Sequence, residues 1–391
     1  MKTNNRYRPY RVLPIVLIAL LLFISATYAQ WFENGTPVCV TAGDQLSPEI
    51  VSDSRGETFI AWRGGGVVVQ RVNAFGDLLW DADGVVLCHG NTKQHALLAD
   101  QSGGTTVAWS YRRGADFEVY VQRLTRFGRP LFGDSGLDIC SADGHKESPS
   151  IASAGSDEYI IAWQDARGAD TDIYAQKVSA DGEILWDEAG LPLCTETGAQ
   201  TAPVILADCL GGTIVVWIDA RSGNLDIYAQ RIDGEGSAQW ASGGIPLCAA
   251  SGDQGGVVIV PDGSGGLIAL WEDARGGDLD IYAQRIDREG SILWSADGVP
   301  VCAETADQLQ VTAVPDGSGG MIAAWSDLRD TDSDILAQKI DGSGTGLWLP
   351  GGVPLCASPG DQTVPYAAVD GNGGAIVAWQ DERGDSPDIH A

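Results

Sequence analysis

The chain is poor in methionine, in basic charge and in long apolar runs. Of its 391 residues only 2 are Met, and 24 Lys and Arg stand against 53 Asp and Glu. With 51 Gly and 13 Trp beside them, this composition excludes a disordered chain, a coiled coil and a multi-span membrane protein. A surface short of positive charge repels nucleic acid and anionic lipid, so neither is an expected partner. No segment long enough for a helix repeats its apolar residues every 3.6 positions.

The one long apolar run, Val12 to Ile24, follows Lys2, Arg6, Arg8 and Arg11 and precedes Ala26-Thr27-Tyr28-Ala29. A basic start, a short apolar stretch and small residues at the exit read as a secretory signal over residues 1–29. The run is too short for a comfortable membrane span. The first cysteine is Cys39, so no lipid anchor is expected. Without this segment 20 basic residues face 53 acidic ones, a net charge of −33. The expectation is an acidic monomer that is secreted, periplasmic or held at the cell surface, with no membrane span once the signal is removed.

What is abundant is repetition. Cys39, Cys88, Cys140, Cys194, Cys248, Cys302 and Cys356 keep a beat that settles at 54 residues. Trp62, Trp109, Trp163, Trp217, Trp271, Trp325 and Trp379 keep the same beat. Trp31, Trp80, Trp186, Trp240, Trp294 and Trp348 each stand eight residues before a repeat cysteine, with Phe132 in the remaining place. Between Gln254 and Cys302 lie four short apolar runs rich in Val, Ile, Tyr and Trp, divided by turns such as Pro261-Asp262-Gly263 and Asp273-Ala274-Arg275-Gly276. Such runs are strands joined by tight turns. Seven units of four antiparallel strands predict an all-β, seven-bladed β-propeller over residues 30–391. Leu267 to Trp271 is apolar throughout, as expected where both sheet faces pack on neighbours.

Closure is read from the ends. The chain stops at Asp388-Ile389-His390-Ala391, in the third strand of its last unit, where complete units go on with Gln and a basic residue. Residues 31–39 are a spare fourth strand, expected to pair with the strand of Ile389 and close the ring.

The unit Ile-Ala-x-Trp-x-Asp-x-Arg with Asp-Ile-Tyr-Ala-Gln, preceded by Pro-Asp-Gly-x-Gly-Gly, resembles the repeats of TolB-type propellers and of large secreted bacterial repeat proteins. The resemblance spans residues 31–391. It implies a propeller used mainly as a protein-binding module or as the propeller part of a peptidase.

Loops between strands two and three should share one face with the loops between blades. That face then carries Asp165 and Arg167, Asp219 and Arg221, Asp273 and Arg275, Asp327 and Arg329, and Asp381 and Arg383. Gln45, Gln94, Gln200, Gln254, Gln308 and Gln362 follow the repeat cysteines by six residues. A feature present in blade after blade is expected to hold blades together: Asp on turn amides, Arg on a carboxylate such as Asp172, Asp226 or Asp280, and Gln on backbone groups. Binding is expected where the repeat fails. Gly64-Gly65-Gly66 replaces the acidic turn of the first unit, and Tyr111 and Glu118 replace Asp in the second. His89, Lys93, His95, Tyr111, Arg112, Arg113 and His145 crowd the same region and are the candidate binding residues, with the three His expected in exposed inter-blade loops. They lack the spacing of a zinc site, so no metal is assigned. Calcium is considered for Asp330-Thr331-Asp332-Ser333-Asp334, but Ile335 stands where a calcium loop needs Gly, and the segment reads as a turn. No cofactor is expected.

Gly-x-Ser-x-Gly and His-Glu-x-x-His are absent, and no catalytic residue is assigned. The function read is a non-catalytic secreted module for an extracellular protein or glycan. Two other readings stand beside it: a propeller hydrolase or lyase acting on extracellular glycans, and a spacer within a longer surface protein. Equivalent points on neighbouring blades are too far apart for disulfides, which predicts free repeat cysteines and an exposed Cys209.

Overall fold

The computed structural model describes residues 37–391 apart from 54, 101, 156 and 385–387. Every regular element among them is a strand. Seven sheets follow one another, each antiparallel and ordered as its strands occur in the chain. Blades 1 to 7 take residues 46–89, 92–138, 146–194, 200–248, 254–302, 308–356 and 362–390. Six carry four strands, and blade 7 carries three among the described residues. The expected closing strand is outside the described residues except for 37–39, which lie in no strand. First strands of neighbouring blades pack on one another, which places them innermost.

Blade 5 shows why these residues make this sheet. Its second strand, Leu267–Asp273, is buried on both faces, because one packs on blade 4 and the other on blade 6. Apolar cores fill the six seams from blade 1 through blade 7. Tryptophans staple the seams from outside: Trp240 and Trp294 donate from Nε1 to the carbonyls of Arg288 and Gly342 in the next blade, each at 3.1 Å. Gly290, at a φ of 87°, lies so close to Trp240 that a Cβ would meet the indole at 2.9 Å.

The ring returns on itself at the first strands. Tyr366 of blade 7 feels the charge of the Glu49 carboxylate of blade 1, which with burial raises its phenol pKa. Burial raises Glu49 itself to about 7. Around this seam Ile50, Ile376 and Ile389 remain exposed, unlike their counterparts elsewhere.

Candidate functional site

Blades 3 to 7 use one device at the end of their second strand. Trp163, Trp217, Trp271, Trp325 and Trp379 donate from Nε1 to Asp165, Asp219, Asp273, Asp327 and Asp381 at 2.7 to 3.1 Å. The same carboxylates accept from the backbone N–H and the Nε of Arg167, Arg221, Arg275, Arg329 and Arg383. Each guanidinium then crosses the seam and donates from Nη2 to the repeat cysteine of the preceding blade, at 3.0 to 3.3 Å from Sγ. In blades 3 to 5 it also lies over the ring of Tyr174, Tyr228 or Tyr282, 3.8 to 4.1 Å from the centroid. Burial alone would raise the Asp273 carboxyl, but the bonds from Arg275 and Trp271 outweigh it and hold it below its ordinary value. Burial pushes the Cys248 thiol up to about 12, so it meets Arg275 as a thiol rather than a thiolate.

This arrangement is structural, as the repetition implies, but its pairing differs from the expected one. The arginines pair with the aspartate of their own turn and not with Asp172, Asp226 or Asp280, because the turn brings the Arg backbone N–H and Nε onto the same carboxylate that caps the indole. The cysteines are free, and Cys209 alone of the eight is exposed.

Blade 2 breaks the device. Tyr111 takes the aspartate's place, and strands Thr105–Arg113 and Asp116–Leu124 extend past it, with Arg112 opposite Phe117 and Arg113 opposite Asp116. Trp109 remains buried, yet its Nε1 has no hydrogen-bond partner. Tyr120 stacks on Trp109 with centroids 6.0 Å apart, and Tyr111 meets Tyr120 edge-on at 5.8 Å. Arg113 turns outward to Asp138, 3.4 Å away. A cavity of about 600 Å³ opens here, lined by Trp109, Tyr111 and Tyr120 with Cys88, His89, Arg113, Asp134 and Ser135 among its walls.

The candidate residues therefore divide. His89, Tyr111 and Arg113 share the cavity, and Arg112 is exposed beside it. Lys93 and His145 converge instead on Glu147, and Lys93 also covers the Phe117 ring at 4.8 Å. His95 corrects the expectation of an exposed loop: it is 5% exposed in strand Thr92–Ala99, and burial lowers its pKa to about 4. No group of three or more His, Cys, Asp or Glu among the described residues is arranged to hold a metal.

The glutamine positions also need one correction. Gln200, Gln254, Gln308 and Gln362 donate to loop carbonyls as expected. In blade 2, however, Thr92 and not Gln94 stands opposite Tyr111, the counterpart of the aspartate that Gln200 faces in blade 4. The loop there is two residues shorter, so counting from the cysteine overshoots. Lys146, fully buried, holds the glutamine's place in blade 3 and binds Glu118 of blade 2 at 2.6 Å. Spacing alone could have found this substitution, since Lys146 follows Cys140 by six residues.

No family model matches the chain, and no curated protein matches it. Among solved structures a puromycin hydrolase aligns with 93% of this chain at a TM-score of 0.54 and 14% identity. The chain spans about half that protein's length, 54%. A polysaccharide lyase described as an ulvan lyase aligns over 91% of this chain and 92% of its own, at a TM-score of 0.54 and 10% identity. A TolB protein of Agrobacterium tumefaciens aligns over 60% of this chain and 75% of its own, at a TM-score of 0.37 and 15% identity. What the first two likenesses show is the β-propeller fold.

Proposed function

We propose that the chain is an extracellular glycan-binding propeller whose site is the cavity between blades 1 and 2. The observation that carries the reading is the Trp109 Nε1, a buried donor without an acceptor, in the wall of an aromatic cavity. Five other blades cap this donor with Asp, and a buried N–H without a partner costs about 1–3 kcal/mol. A ligand hydroxyl supplies the missing acceptor. A sugar ring also offers an apolar C–H face to Tyr111 and Tyr120, and further hydroxyls to His89, Arg113 and Asp134. A cavity of about 600 Å³ is within the range of small-molecule sites, enough for one or two sugar units.

A second reading, a hydrolase or lyase acting on extracellular glycans, has its own support. His89 and Tyr111 are acid–base side chains in the same cavity as Arg113, which suits a carboxylate-bearing sugar. The full-length fold likeness to an ulvan lyase points the same way.

A panel of extracellular polysaccharides and their fragments, titrated into wild type and Tyr111→Ala, tests the proposal. Wild type should bind at least one glycan, and Tyr111→Ala should weaken it tenfold or more. Binding unchanged by Tyr111→Ala would remove the site from this cavity. Following the same mixtures for shortened or unsaturated products separates the two readings, since turnover abolished by His89→Ala makes the protein an enzyme.

A further inference from the structure

The aspartate that caps the indole in blades 3 to 7 is missing from blade 1 as well as from blade 2, and blade 1 replaces it with no side chain at all. Trp62 stands in strand Thr58–Arg63 where Trp163 stands in blade 3, and two residues on, where blade 3 has Asp165, blade 1 has Gly64. The Trp62 indole is 4% exposed, and its Nε1 has no hydrogen-bond partner. A Cβ on Gly64 would lie 3.3 Å from that Nε1, and next meet the same indole and the Gln45 side chain at 3.5 and 3.8 Å. Gly65, at a φ of 77°, and Gly66, where a Cβ would strike the Cys88 carbonyl, have to be glycine. Gly64 is under neither constraint, so the turn does not itself exclude a carboxylate there.

A positive charge stands beside this donor without a counter-ion. The half-buried Arg63 donates from Nη2 to Ser47 Oγ at 2.8 Å and from Nη1 to the Thr92 carbonyl at 3.3 Å, and its Nε is buried with no partner. It makes no ion pair among the described residues, whereas the arginine of every regular turn is held by a carboxylate. The charge reaches into the sheet: burial first, and Arg63 in addition, push His95 down to about 4 against its bond to the Ala61 backbone. Arg63 and Gly64 share the wall of a cavity of about 410 Å³ with Gly65, Gly66, Gly90 and Thr92. The one carboxylate in that wall, Asp44, is exposed and pairs with no cation among the described residues. The Trp109 cavity lies next door, since His89 lines it and Gly90 lines this one.

We infer that this cavity in blade 1 binds a carboxylate from outside the chain, at the place where the regular blades hold the aspartate of their own turn. The ligand carboxylate accepts from Trp62 Nε1, and Arg63 in the same wall supplies the opposite charge. A buried N–H without an acceptor and a half-buried cation without a counter-ion are both unfavourable, and one carboxylate relieves both. A neutral hydroxyl would answer only the first. Beside the Trp109 cavity the bearer of the carboxylate is an acidic sugar; the sugar rests on the glycan reading, and the carboxylate does not.

The test reads the Trp62 indole N–H by nuclear magnetic resonance on the full chain, its signal identified by its loss in Trp62→Phe. Sodium acetate, sodium galacturonate and galactose are titrated in at constant ionic strength. Both acids should move the Trp62 signal and galactose should not. Arg63→Gln should weaken both acids by about tenfold or more. Gly64→Asp supplies the carboxylate from within: its Trp62 signal should start near the bound position and stay there. That variant should also melt no lower than wild type, which separates a filled site from a lost fold. Galacturonate binding tighter than acetate supports the acidic sugar, and equal binding supports a site for the bare carboxylate. Acetate carries no sugar, so the site stands or falls apart from the glycan reading. A Trp62 signal that neither acid moves, that galactose moves as far, or that moves in Gly64→Asp as in wild type would overturn the inference.

Discussion

The seam between blades 4 and 5 and the seam between blades 1 and 2 are built around the same buried indole and end differently. In the first, Asp273 caps Trp271 and holds Arg275, whose guanidinium reaches Cys248 across the seam. In the second, Tyr111 replaces the aspartate, Arg113 swings out to Asp138, and Trp109, which lines a cavity, is left with a buried N–H that has no partner. The regular seam ties its indole, carboxylate and guanidinium to one another, and the irregular one leaves the indole N–H without a partner. Recognition in this ring is expected where the structural device is withdrawn, not where it is repeated.

The largest effect expected from breaking the regular seam comes from Asp273→Ala. It leaves the buried Trp271 N–H and the Arg275 guanidinium without their acceptor, a loss of about 3–5 kcal/mol for a broken buried pair. Urea denaturation measures it, and a loss below 1 kcal/mol would make the device ornamental.

A second effect, smaller and of opposite sign, belongs to the seam between blades 7 and 1. Glu49 has a pKa of about 7 in the folded chain against 4.5 for a free Glu side chain. The folded state therefore holds a proton that the unfolded state releases. Its contribution is fully present below about pH 4.5 and is lost as pH rises to about 7. Glu49→Gln removes the titration, so the variant should be the more stable by up to about 3 kcal/mol above pH 7, with the gap closing near pH 4. Melting curves across that range check it, and a gap independent of pH would contradict it.

The smallest effects lie in the irregular seam. His89→Ala and Arg113→Ala should change stability by no more than about 0.5 kcal/mol, as exposed positions usually do. Tyr111→Ala should cost about 1 kcal/mol through its edge contact with Tyr120. If any of the three destabilised the protein as Asp273→Ala does, the contrast between the seams would fail.

Much of this was legible in the sequence because a repeat reports on itself. The beat of Cys and Trp gives seven blades, runs apolar on both faces give strands packed on both sides, and the blade spacing keeps the cysteines apart. The face shared by Asp-x-Arg and the inter-blade loops was legible for the same reason. Partners across a seam were not, because they are set by which side chains meet between sheets. Nothing in the spacing says that Arg221 will reach Cys194 rather than Asp226. His95 was misplaced because the loop after Cys88 is two residues shorter than in the regular blades, so the first strand begins at Thr92 and carries His95 into the sheet. Lys146 was hidden by being read as ordinary charge, although it stands at a repeat position.

The central claim is that the blade 1 and 2 seam is the recognition site. A crystal structure of the protein with the oligosaccharide that scores in the binding panel tests it most directly. The account predicts a sugar ring against Tyr111 and Tyr120, with a hydroxyl accepting from Trp109 Nε1. An oligosaccharide seated elsewhere, over the central channel or on the Asp273 and Arg275 ring, with the Trp109 cavity unvisited, would contradict it.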